Sequence, residues 1–161
     1  MIFAIETVVL CLLFFLICYL NTGSDLKNIK NINSYPYEVI EIVKRDPKLR
    51  DYIQPQNKLM SFATNLAIFT VVLFILVFFI KGESYLYNFL AALIMGEILN
   101  LFDLLVIDLL WWRNTKRIRF EATKNDKDLY KNPRKHVISF LSGTVMFIIA
   151  ALLTAGLLIM F

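Results

Sequence analysis

The sequence predicts an all-α integral membrane protein whose four transmembrane helices form one bundle, and three observations carry that prediction. Four apolar runs, at about 2–20, 60–80, 85–112 and 137–161, occupy more than half of the 161 residues. Each is close to the ~20 residues that a helix needs to cross a bilayer. Hydrophobic residues make up 58% of the chain and charged ones 19%, and the apolar residues come in blocks instead of a soluble domain's periodic pattern. The basic residues are also sorted: of 17 Lys and Arg, seven fall in 21–59, nine in 113–136 and only Lys81 in the turn 81–84.

Cytoplasmic loops carry the Lys and Arg excess of membrane proteins. Both longer connections are therefore expected in the cytoplasm, with the turn and both chain ends outside. The expected organisation is a single transmembrane domain over 1–161, multi-pass in the plasma membrane, with no length left for a second folded domain.

The first run is expected as a retained helix. No Lys or Arg precedes it, and Leu20-Asn21-Thr22-Gly23 lacks the small-residue pattern of a signal cleavage site. Cys11 and Cys18 lie seven residues apart on one face of this helix. Two such cysteines make neither a disulfide framework nor a zinc site, so both read as packing residues.

In the first connection, a short surface helix is expected near 36–46. Ser34 is the candidate cap, and Pro36 suits a first helical turn. Glu38 and Glu41 come early and Lys44 and Arg45 late, as the helix dipole favours. Val39, Ile42 and Val43 share a face that would rest on the membrane surface or against the bundle.

The second run carries Thr64 and Asn65 near its cytoplasmic end, and the fourth begins with His136, Ser139 and Ser142. A stripe of Ser139, Gly143, Ala150 and Thr154 would let helix backbones approach closely.

The third run is the place to look for function. It holds Glu97, Asn100, Asp103 and Asp108 but no Lys or Arg, and Trp111, Trp112 and Arg113 mark its inner end. A charge at mid-membrane costs at least ~2.5–3.5 kcal/mol on insertion scales, so such groups face protein, water or a ligand. On a regular α-helix the four polar residues fall within an arc of about 140°. They are the candidate ligand- or ion-binding residues, with Asn65, Thr64, His136, Ser139 and Ser142 as supporting polar groups. Glu97, nearest the middle, is the candidate for proton uptake. Arg113, Lys135 and His136 are the cationic or titratable side chains that could reach Asp108.

The second connection is basic, with nine positive and three negative residues over 113–136. Arg113, Lys116, Arg117 and Arg119, interleaved with Ile118 and Phe120, are the candidate site for anionic headgroups at the cytoplasmic face. The pI of about 9.1 reflects this topology signal, and no nucleic-acid partner is expected.

Several chemistries have no signature here. The chain lacks a Gly-rich phosphate loop, a nucleophile elbow and an H-E-x-x-H zinc pair, and His136 is its only histidine. Neither a catalytic residue nor a particular metal or cofactor is indicated. The expected function is binding or transport of a cation, proton or small polar solute through an acidic pocket on the third helix, in an oligomer. The alternatives are an accessory or scaffold subunit of a larger membrane complex and an inner-leaflet enzyme acting on an anionic lipid or headgroup. In the enzyme, Asp103 and Asp108 would serve as acid, base or metal ligands.

Overall fold

The computed structural model describes residues 1–55 and 57–160. Gln56, in the first connection, and Phe161, the last residue of the expected fourth helix, lie outside the described residues. The chain is all-helical, with no strand among the described residues. Its helices are α1 (Ile2–Leu20), α2 (Asp25–Asn28), α3 (Tyr37–Arg45), α4 (Lys58–Phe78), α5 (Tyr85–Phe102) and α6 (Arg134–Ile159). Four helical segments are long and apolar enough to cross a membrane: α1, α4, the continuous helix Tyr85–Trp112 that α5 begins, and the segment ending in α6.

Two of these helices begin slightly before their apolar runs. The Asn57 side chain accepts the Met60 backbone N–H at 3.1 Å, so α4 starts at its cap rather than at its first apolar residue. Similarly, α6 starts directly after Pro133, whose carbonyl accepts the Val137 N–H at 3.0 Å. The larger departure is inside the third run. From Asp103 to Trp112 the helix is wound as a π-helix, with i→i+5 hydrogen bonds.

The described chain divides into two compact units. The first comprises Met1–Leu12, Asn57–Phe102 and Phe140–Phe161. Its interior is rich in small residues: Ala91, Ala92, Ala150, Ala151 and Ala155 are buried, alongside Leu73, Val77, Met95, Leu99 and Phe147. Gly96 lets α5 press against α6, since a Cβ there would sit 2.6 Å from Phe147 Cδ1. Hydroxyl groups link helices as well: Thr154 Oγ1 donates to the Thr70 carbonyl at 3.3 Å, and Tyr85 to the Leu152 carbonyl at 3.4 Å. The turn before α5 is tied by Asn88, whose amide exchanges hydrogen bonds of 2.9 and 3.0 Å with the Gly82 backbone.

The second unit comprises Leu13–Gln56 and Asp103–Ser139. The two connections meet there in a common core of Ile29, Ile32, Tyr35, Val39, Val43, Leu49, Trp112, Ile118, Phe120 and Tyr130. Within it, α3 forms close to its expected range, but its N-cap is Pro36 rather than Ser34. Ser34 lies instead in a 3-10 turn, too early to reach the first free N–H groups. The apolar face of α3 is covered by protein, with Val39 and Val43 fully buried and Ile42 exposed. Tyr35 anchors the core by donating to the Ile118 carbonyl at 2.8 Å, and burial pushes its phenol well above the usual range.

Candidate functional site

The residues singled out on the third helix fall into separate centres, because Glu97 and Asn100 belong to the first unit and Asp103 and Asp108 to the second.

In the first unit, Asn100 lies one helical turn after Glu97 and is buried. Its Nδ2 donates to the Phe140 carbonyl and to Thr144 Oγ1, both at 3.1 Å, and more weakly to Glu97 Oε2 at 3.4 Å. Thr144 also donates its hydroxyl to Glu97 Oε2, at 3.1 Å. Gly143 makes room for this contact, since a Cβ there would collide with Asn100 Oδ1. Half-buried Glu97 is thus held by neutral donors, and its Oε1 is buried with no hydrogen-bond partner among the described residues. Such an oxygen can accept from a ligand N–H or O–H, contact a cation, or hold a proton. Thr144 is the residue that the sequence did not single out. Its distance of 47 positions from Glu97 hides the pairing from any helical-spacing argument.

In the second unit, the sequence left Arg113, Lys135 and His136 as groups able to reach Asp108. The structure brings His136 there, with Nδ1 2.9 Å from Asp108 Oδ2. The imidazole is buried against Trp112, edge-on at 4.8 Å between ring centroids. Its Nε2 has no partner among the described residues. Lys135, by contrast, donates to the Asn33 carbonyl at 3.0 Å.

The π winding changes how Asp103 and Asp108 relate. On a regular α-helix they would be ~7.5 Å apart along the axis and well round from one another. At about 4.4 residues per turn the π winding cuts the angle between residues five apart from about 140° to about 50°, and the two carboxyl groups interact electrostatically. No group of three or more His, Cys, Asp and Glu side chains among the described residues is placed to hold a metal ion.

The remaining candidates are dispersed. Thr64 and Asn65 on α4, and Ser139 and Ser142 on α6, are exposed in the isolated chain. Of the four basic residues assigned to headgroups, Lys116 is exposed, while Arg117 and Arg119 have partners inside the unit. Arg117 Nε donates to the Tyr19 carbonyl at 3.2 Å, with its guanidinium 4.0 Å from the Tyr19 ring centroid. Arg119 is buried and donates to the Lys124 carbonyl at 3.2 Å. Arg113 is half-buried, its Nε without a partner among the described residues.

No protein-family model matches this chain, and neither does any curated protein or solved structure compared with it.

Proposed function

We propose that this chain is a multi-pass protein of the plasma membrane that binds, and as an oligomer moves, a cation, proton or small polar solute. In this reading the four long helices form one bundle with the termini outside. The connections 21–59 and 113–136 face the cytoplasm, because both concentrate Lys and Arg. Lys116 remains free to meet anionic headgroups there.

The observation that carries the reading is the setting of Glu97. An acid within an apolar helix is expensive and calls for a partner, yet its partners are an amide and a hydroxyl instead of Lys or Arg. One buried oxygen is left over. A structural ion pair would have used both charges up; this arrangement keeps acceptor capacity for something that arrives. Exposed Thr64, Asn65, Ser139 and Ser142, on helices otherwise fit for lipid, support assembly with further copies, since polar side chains join helices in membranes.

Native mass spectrometry with elemental analysis of the purified chain tests this. A bound ion or solute is expected in the wild type and absent from Glu97→Gln at equal helix content and oligomer size. An empty wild type, or identical occupancy in both, would leave Glu97 as a packing residue.

A further inference from the structure

The second unit holds a centre of a different kind, formed by Asp103, Asp108, Trp112 and His136. Asp108 Oδ2 faces Nδ1 of His136, so the hydrogen of the neutral ring is placed on Nδ1. Nε2 then carries the free lone pair and is an acceptor. That atom is buried in a side chain only 4% exposed and meets no partner among the described residues. An unpaired buried acceptor of this kind is costly unless something supplies an N–H or O–H.

The charge around it points to the kind of donor. The π winding brings Asp103 closer round the helix to Asp108, and the two carboxyl groups interact electrostatically beside one imidazole. Cys18 of α1 lies within electrostatic reach of both carboxyl groups and brings no positive charge. No Lys or Arg occurs from 85 to 112, and Lys135, next to His136, is turned to the Asn33 carbonyl. Arg113 directly follows the π segment in sequence and is the guanidinium that would compete for these acids. A bare metal ion fits poorly, because no three-donor group is placed for one among the described residues. An ammonium group has both positive charge and N–H donors, and the Trp112 ring beside the imidazole suits a cation.

We propose that this centre binds a protonated alkylamine, with an ammonium N–H donating to His136 Nε2 and Asp103 and Asp108 supplying the counter-charge. The alkyl part would lie among the apolar residues of the same segment. The proposal rests on the cation-binding reading above and names its ligand class at a second centre.

The only tryptophans, Trp111 and Trp112, adjoin the centre, so their fluorescence reports on it directly. The full chain in a neutral detergent is titrated with hexylammonium chloride, with hexanol and sodium chloride as controls. Hexylammonium should give a saturable change, hexanol and sodium chloride none, and Asp108→Asn and His136→Gln should each weaken binding at least tenfold. In the wild type, 15N NMR of the single histidine gives an arm that does not depend on a variant folding. Nδ1 should be protonated and Nε2 bare without amine, and the Nε2 signal should move when amine is added. No saturation in the wild type, an equal response to hexanol, unweakened folded variants or a protonated Nε2 before amine is added would each overturn the proposal. If native mass spectra show a ligand lost with Glu97→Gln while hexylammonium fails to saturate, the amine centre falls and the reading of Glu97 stands.

Discussion

The two units differ in the balance of what they bury. The first buries mostly alanines, a glycine and aliphatics, with Phe147 against Phe69 among them, and joins its helices through Thr154, Tyr85 and Asn100. The second gathers Tyr35, Trp112, Phe120 and Tyr130, with Tyr35 5.0 Å from both Trp112 and Phe120 between ring centroids. Lipid tails are as apolar as side chains, so helices in a bilayer gain by close approach and polar links rather than by hiding hydrocarbon. Segments in water gain most by burying large apolar area. The aromatic core draws on both connections as well as on the end of the third long helix, and it agrees with the proposal that the connections 21–59 and 113–136 lie outside the bilayer.

Substitutions that fit one solvent and not the other should break that contrast most clearly. Phe120 is fully buried, and Phe120→Ala should cost about 3–5 kcal/mol. Hydrogen exchange should show the loss as deprotection of 113–130, with the amides of α4 and α5 unchanged. In the first unit, Gly143→Ala forces a methyl group onto Asn100. Overpacking of this kind costs about 1–3 kcal/mol. It should lower the melting temperature in detergent and release whatever Glu97 binds, because Asn100 is the side chain displaced.

Gly23→Ala sharpens the picture in the second unit. Gly23 has φ +110°, and a Cβ would sit 2.7 Å from the Arg117 guanidinium carbon. Both the backbone and the Arg117–Tyr19 stack must give, so a loss of about 1 kcal/mol or more is expected, read as a lower melting temperature.

The smallest effect depends on pH. Burial pushes the Asp25 carboxyl above its usual range; the Glu121 and Asp46 carboxylates add to this, and the Glu121 N–H bond opposes it. The folded unit therefore holds this proton more tightly than the unfolded chain does. Its charge is a burden above the folded pKa that fades as pH falls toward the unfolded value of about 3.9. Asp25→Asn should melt higher than wild type at pH 7, with the gap closing toward pH 4. A gap that widens on acidification would reverse the assigned sign.

Hydropathy made the long helices legible, and they form close to the ranges expected from it. It works because a membrane segment must satisfy its backbone internally and be apolar along its length. The short helix near 36–46 was legible from Pro36 and the order of its charges, since both act locally. The aromatic core was not. Tyr35 and Ile118 are 83 residues apart and neither run shows a periodicity that would pair them. The π segment was hidden too, because Asp103–Trp112 reads as apolar helix whichever way it is wound. At the candidate site, helical spacing brought Glu97 and Asn100 to notice together, but Thr144 comes from another helix. For Asp108 the sequence narrowed the choice to three residues, and only the fold could place His136 beside it.

The account depends most on the acid-bearing side of α5 being turned to protein. Spin labels introduced one at a time at 94–101, after Cys11 and Cys18 are replaced by serine, measure this in liposomes as access to oxygen dissolved in the lipid. Ile94, Ile98 and Leu101 are 49%, 41% and 46% exposed, while Met95, Leu99 and Asn100 are 0%, 1% and 7% exposed. Oxygen access should peak at 94, 98 and 101 and fall to minima at 95, 99 and 100, with 97 closer to the minima. Maxima at 97 and 100 would put Glu97 and Asn100 against the acyl chains and contradict the proposed binding centre.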